Sequence, residues 1–332
     1  MKALILAPFD PPILQRLKQR LEVFQESWTD TRRLISPEEL VERIEKYDLR
    51  IVVIEADFIF EDVFEGTDKL RLIGVCRGSV TNVDVEAATR HNILVVNTPA
   101  RNAVSVAELT IGLMLSLARR IPAAHSMVVS GEWIDPVGPY ISLRGIELSG
   151  KVAGIIGLGA IGSEVARRLC AFGMTVLGYD PYADSSRLAQ LGVKQVSLDE
   201  LMAGSDFITI HSTVSSETTG LIDKHMIGLM KPGAYLVNTA GWGIVDEDAL
   251  LQALTGKCIA GAAFDTFETH PVSTISPLLK LDNVILTPHI GGATDGTVRR
   301  YSQMIAEDIE RFITGKRPVN LVNPEAWQAD DC

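Results

Sequence analysis

Residues 151 to 182, KVAGIIGLGAIGSEVARRLCAFGMTVLGYDPY, set Gly157, Gly159 and Gly162 in a G-x-G-x-x-G pattern between an apolar run and a helix-like stretch, with Asp180 further on. The first glycine permits a tight turn, the second lets backbone amides approach a pyrophosphate, and the third lets helix pack on strand. Anion binding then falls to the amides at the helix start, around Ala160 and Ile161. Asp180, followed by Pro181, ends the second strand, where a carboxylate accepts hydrogen bonds from both ribose hydroxyls and repels a 2′-phosphate. No arginine directly follows it in DPYADSS. The chemistry predicted is dinucleotide binding, with NAD favoured over NADP.

A second corner, LVNTAGWGIVDEDAL at 236 to 250, runs from an apolar strand through Gly241-Trp242-Gly243 into a helix start. Such corners bind ligands in α/β enzymes, yet this one carries no cation for an anionic ligand. His289, in Thr-Pro-His-Ile-Gly-Gly after a predicted strand, is a candidate proton acid/base, because imidazole titrates near neutrality. A core or capping histidine is the alternative. No GxxxxGK[ST], HExxH or GxSxG motif is present, and the histidines at 91, 125, 211, 225, 270 and 289 show no ligand-like pairing. Metal and serine hydrolysis drop out, and no metal site is predicted.

These residues need a scaffold, and the chain supplies alternating signals for one. Short β-branched runs (ALIL at 3 to 6, IVVI at 51 to 54, LIGV at 72 to 75, ILVV at 93 to 96) are separated by helix-like stretches, and a second series follows from VAGII at 152 to NVILT at 283 to 287. That alternation predicts an α/β fold with two doubly wound parallel sheets. Residues 103 to 119 are apolar around nearly the whole helical circumference and call for burial on all sides. SGEWIDPVGPYISLRGIELSG, 130 to 150, reads as an extended arm that crosses to a second subunit. After Pro288-His289 a helical pattern runs to about Phe312 and packs back on one of the sheets.

At 332 residues, 46% apolar and 22% charged, the chain supports two domains. The formal charge of −11 argues against nucleic-acid and anionic-membrane partners. No apolar segment reaches bilayer length, and MKALILAPFDPP reads as a first strand and turn rather than a signal segment. Cys76, Cys170, Cys258 and Cys332 are widely spaced, which fits reduced thiols in a cytoplasmic setting.

GIELSGKVAGIIGLGAIG, NTAGWGIVDEDAL, GAAFDTFETHP and NVILTPHIGGAT occur in the order of the D-isomer-specific 2-hydroxyacid dehydrogenases, and the chain resembles that family from VCRGSVTNVDVEAA to LVNPE. The resemblance implies a flavodoxin-like substrate domain of residues 1–100 plus 290–332, a Rossmann NAD domain of 101–289, and a homodimer joined through the arm and helix. It implies that Asp265 contacts the nicotinamide carboxamide and that His211, Thr213, Thr239, Ala240, Gly291 and Gly292 line the cofactor. Thr213 stands where the family usually has proline. His289 matches the family's acid/base; Gly241 stands at its usual arginine position and His270 at its usual glutamate position.

Without that arginine, a substrate carboxylate has lost a bidentate guanidinium. Arg77 in the Arg77-Gly78-Ser79 loop is the nearby replacement, set against a solvent-facing loop arginine; in the family's fold Arg101 and Asn102 face the same cleft. His270 is either a plain loop residue or an orienting partner of His289, and Glu268 supplies a carboxylate if the loop turns it inward. Trp242 either fills the volume the arginine vacated or packs on the corner. Two functions fit: an NAD-dependent oxidoreductase acting on a small 2-hydroxy or 2-oxo acid, and an NAD(H)-binding sensor or scaffold with little turnover.

Overall fold

A computed structural model describes residues 1–327 of the chain; Cys332 lies outside them. Two compact units result, Met1–Asn102 with the chain from Thr294 onward, and Ala103–Ala293.

The first unit holds β1 (Lys2–Ile5), β2 (Glu22–Gln25), β3 (Ile51–Ile54), β4 (Leu72–Val75) and β5 (Leu94–Val96), all parallel, in the order β2-β1-β3-β4-β5. Every residue of β3 and β4 is buried, as expected of parallel strands covered on both faces, and this is why they read as unbroken apolar runs. One covering element is the helix Asp295–Phe312, whose Tyr301, Ile305, Ala306, Ile309 and Phe312 join the core of this sheet. Gly74 in β4 admits it closely, since a Cβ there would lie 3.2 Å from Ile305 Cδ1.

The second unit holds β6 (Val152–Ile156), β7 (Thr175–Tyr179), β8 (Val193–Gln195), β9 (Phe207–Ile210), β10 (Tyr235–Asn238), β11 (Gly261–Phe264) and β12 (Val284–Leu286). Its parallel order is β12-β11-β10-β9-β6-β7-β8, so the strand order reverses beside β6. Strands β2 and β8 escaped the sequence pattern. Both are sheet edges with solvent-facing polar residues, Glu22 and Gln25 in one, Lys194 and Gln195 in the other, so neither needs an apolar run.

The helix Ala103–Arg119 forms as read, with ten of its seventeen residues buried within the chain and Glu108, Gly112 and Arg119 facing outward. One expectation changes. The arm is not extended throughout. It follows the helix Ile121–Val129 and contains a second, Val137–Ser142, which the Asp135 carboxylate helps start by accepting the N–H groups of Val137 (2.8 Å) and Gly138 (2.7 Å).

The first unit is closed by its own C-terminal segment. Asn323, 1% exposed, accepts the Val95 N–H at 2.8 Å and donates to the Thr89 hydroxyl and the Ile93 carbonyl, both at 2.9 Å. Replacing Asn323 with alanine strands a buried amide and a buried carbonyl at the edge strand β5. We expect Asn323→Ala to lower unfolding stability by about 1–3 kcal/mol in urea titration; a change within about 0.3 kcal/mol, the size expected of a surface substitution, would show that the clip contributes nothing.

Candidate active site

The glycine-rich loop follows β6. Gly157 has φ +85°, a region side chains avoid, and a Cβ there would also meet the Ser212 nitrogen at 2.7 Å. At Gly162 a Cβ would lie 2.0 Å from the Gly157 carbonyl oxygen, so this position fixes how closely helix Ala160–Ala171 packs on its strand. Gly159 differs from both. A Cβ there would meet nothing within 4 Å, and no side chain caps the helix that follows. Open space beside uncapped N-terminal amides fits a pyrophosphate. Asp180 binds the Leu158 N–H through Oδ2 at 2.8 Å and the Tyr182 N–H through Oδ1 at 2.9 Å. A carboxylate accepts about four hydrogen bonds, so fixing it this way leaves capacity for ribose hydroxyls. Pro181 is exposed beside it. Arg187, the first arginine after Asp180 in the sequence, donates to the Ser163 hydroxyl at 2.8 Å.

His211 follows β9 and donates its backbone N–H to the Ile156 carbonyl at 2.7 Å, which ties it to the strand that enters the glycine loop. Burial pulls its imidazole down to a pKa of about 3, so it is neutral. Its Nε2 lies 2.9 Å from the Thr209 hydroxyl, and its buried Nδ1 meets no hydrogen-bond partner among the described residues. Thr213 is exposed, with its carbonyl accepting from the Thr218 hydroxyl at 2.6 Å. At the end of β10 the Thr239 hydroxyl meets that of Thr110 at 3.1 Å, and the Ala240 N–H is held by Asn238 Oδ1 at 3.0 Å.

At Gly241 a Cβ would lie 2.0 Å from Val214 Cγ2. Val214, not Trp242, takes the space that a side chain at this position needs. Trp242 turns to the sheet, with ring centroids 5.2 Å from Phe264 and 6.1 Å from Phe267, and donates Nε1–H to Glu247 at 3.2 Å.

The loop after β12 is shaped by one buried carboxylate. Asp265 Oδ1 accepts the Thr287 hydroxyl at 2.6 Å and the Ile290 N–H at 2.9 Å, while Oδ2 accepts the Gly291 N–H at 2.7 Å. The Gly291 carbonyl accepts from the buried Ser105 hydroxyl at 2.6 Å, and Gly292 follows, half-buried. Between these anchors His289 adopts a left-handed backbone, φ +55°, and is exposed. Its Nδ1 lies 3.1 Å from Nε2 of His270. Glu268 faces solvent.

The description "D-isomer specific 2-hydroxyacid dehydrogenase, NAD binding domain" matches residues 111–291, more than half of the chain. The chain belongs to the D-isomer-specific 2-hydroxyacid dehydrogenases. A D-3-phosphoglycerate dehydrogenase from Archaeoglobus fulgidus is 41% identical over 332 residues, covering 100% of this chain and 61% of that protein. The TT0316 protein from Thermus thermophilus superposes with a TM-score of 0.84 at 32% identity, covering 97% of this chain and 100% of that one. The D-lactate dehydrogenase of Escherichia coli superposes at 0.80 with 27% identity, covering 97% and 100%. The chain spans 61% and 54% of the lengths of the first two curated relatives it matches.

As a member of this family, the chain carries an NAD-binding unit in which the glycine loop, Asp180, His211 and Asp265 all belong to Ala103–Ala293. No helix among the described residues is long and apolar enough to cross a membrane. The remaining site candidates lie in the first unit. Arg77, half-buried after β4, accepts the Thr98 N–H on its carbonyl at 2.9 Å, and Gly78 and Ser79 beside it are exposed. Asn102 is half-buried. Arg101 pairs with Glu55 at 2.7 Å and lies over the Tyr301 ring at 5.2 Å, so its guanidinium already has a carboxylate.

Sequence reasoning missed Val214, Thr209 and Ser105. Only Ser105 left a signal, as a hydroxyl within an otherwise apolar helix. The clamp gives a direct test. Asp265→Asn puts an NH₂ donor against an N–H donor of the His289 loop, and hydrogen bonds to a charged group are worth about 1.5–3 kcal/mol. Amide exchange at 287–292 should accelerate at least about tenfold, which about 1.4 kcal/mol of lost protection already produces; unchanged exchange there would show that the carboxylate does not hold the loop.

Proposed function

We propose that the chain is an NAD-dependent oxidoreductase that interconverts a 2-hydroxy acid and its 2-oxo acid by hydride transfer, with His289 as acid/base. The observation that carries this reading is the Asp265 clamp, which holds His289 in the same unit as the glycine-rich loop. NAD, when bound, takes up the hydride that leaves C2. His289 accepts the hydroxyl proton in that direction and returns it to the carbonyl oxygen in the other. Gly157, Gly159, Ala160, Ile161 and Gly162 cradle the pyrophosphate, while Asp180 with Pro181 selects the unphosphorylated ribose. Arg77, Gly78, Ser79 and Asn102 are the substrate-binding residues we assign to the first unit, with Arg77 the cation for the carboxylate.

Val214 beside Gly241 favours a second reading. A corner closed to any side chain at 241 suits an NAD(H)-binding protein with little turnover. A screen of 2-hydroxy and 2-oxo acids, phosphoglycerate and D-lactate among them, followed by NADH absorbance, decides between the two. We expect turnover with NADH at least about tenfold better than NADPH, because Asp180 repels the extra phosphate. His289→Ala should abolish it. Arg77→Ala should cut kcat/KM about tenfold or more, since a charge-assisted pair contributes about 1.5–3 kcal/mol. Turnover of no acid alongside intact NADH binding would select the second reading, and a silent Arg77→Ala on a verified substrate would remove that residue from the site.

We propose further that the protein works as a homodimer. The segment from Ile121 to Ile141 leaves Val129 71%, Ile134 88% and Tyr140 71% exposed, apolar surface that a second copy would cover. Sedimentation at micromolar concentration should give twice the chain mass of 36.1 kDa; a monomer mass would refute the dimer.

A further inference from the structure

We propose that His270 is the positioning residue for His289, fixing which of its two nitrogens carries the proton, an assignment that rests on His289 being the acid/base. His270 Nε2 lies 3.1 Å from His289 Nδ1, with ring centroids 5.0 Å apart and planes at 46°. That angle excludes stacking, and the nitrogens meet along a hydrogen-bond line instead. His270 is itself supported from behind. Its ring stands edge-on to Phe267 at 6.3 Å and 65°, and Phe267 is buried in the sheet core against Trp242. His270 is exposed, and this contact braces one edge of its ring.

The tautomer follows from what each nitrogen has to do. When His289 is cationic, both nitrogens carry protons and Nδ1–H donates to His270 Nε2. When His289 is neutral, the same bond persists only if the proton stays on Nδ1, which leaves Nε2 as the nitrogen that exchanges a proton. His270 accepts in both states and carries its own proton on Nδ1. Two adjacent imidazolium ions repel, so protonation of both rings together is disfavoured. The neighbouring groups of the described loop are placed differently. The Asp265 oxygens are committed to Thr287, Ile290 and Gly291, the helix beside Gly291 presents Ser105, Val106 and Leu109, and Glu268 faces solvent. An acceptor without charge orients the acid/base as a carboxylate would, but gives the imidazolium no ion pair.

Nitrogen NMR of the imidazoles reads the assignment without any substrate, with the His289 signals identified by their loss in His289→Gln. We expect neutral His289 as the Nδ1–H tautomer in the wild type and a shift towards Nε2–H in His270→Ala; a wild-type Nε2–H tautomer would overturn the proposal. On a substrate found in the screen, His270→Ala should lower kcat about tenfold or more with KM within about twofold, the low end of what a positioned acid/base contributes. His270→Gln, which keeps an acceptor, should restore most of that loss. His270→Glu should move the pH limb for oxidation up by about one unit, as an opposite charge at this distance does. Loss of turnover in His289→Ala with His270→Ala unaffected would sink the role of His270 alone. Turnover of no acid would sink the acid/base reading, and the tautomer would still decide whether His270 orients its neighbour. NADH binding by each variant checks that it is folded.

Discussion

Asp265 sits at the end of β11 and accepts three hydrogen bonds from a loop that has no regular structure to hold its shape. The loop carries a non-glycine residue in a left-handed conformation, which costs about 1–2 kcal/mol where it is not compensated. Charge-assisted bonds on both sides of His289 compensate it. Because Asp265 is 1% exposed, those bonds form where water competes poorly, and removing one would leave a charge underused in the interior. The backbone on both sides of His289 is held by this one group. Ser105 adds a second anchor from the Ala103–Arg119 helix, so a shift of that helix would be felt at the same loop.

The electrostatics of the unit follow from placing carboxylates under backbone amides and burying the His211 imidazole in its neutral form. Asp180 and Asp265 each accept N–H groups from a loop, which stabilises charge without a counter-ion in the protein. His211 is held neutral by burial and contributes shape and hydrogen bonding rather than charge. At the β10 corner, Ala240 and Gly241 are shaped by Asn238 and Thr266, and neither brings a cation.

The strands buried on both faces were legible because a parallel strand has no polar side. IVVI at β3, LIGV at β4 and VAGII at β6 coincide with the runs read from sequence, whereas EVFQ at β2 and VKQ at β8 are edges whose composition looks like loop. The glycine loop was legible because Gly157 and Gly162 answer separate steric demands and Gly159 leaves open space before the helix amides. The arm was misread because Gly and Pro mark turns without saying whether a short helix lies between them, and Asp135 was the missed start signal. Contacts across the chain left no trace in local sequence patterns, and the pairing of His270 with His289 was suggested only by the family resemblance. His270 and His289 are nineteen residues apart and meet only because the loop after β11 folds back beside β12, and Val214 and Gly241 meet only because β9 and β10 are neighbours.

The Val214 and Gly241 contact shows why the corner cannot be reasoned about one residue at a time. A Cβ at 241 would overlap Val214 Cγ2 far inside van der Waals contact, so any side chain there must first move the 213–218 loop. That loop is braced by Thr218, whose hydroxyl accepts the Ser215 N–H at 2.8 Å and donates to the Thr213 carbonyl at 2.6 Å, and Glu217 within it accepts from the Tyr182 hydroxyl at 2.5 Å. Tyr182 is in turn fixed through its N–H by Asp180. A change at 241 is therefore coupled through Val214 to the loop that borders Asp180, and effects at the two positions should not add. Gly241 and the residues around the Asp180 carboxylate form one structural unit. Glycine at 241 is the residue this arrangement of the 213–218 loop permits.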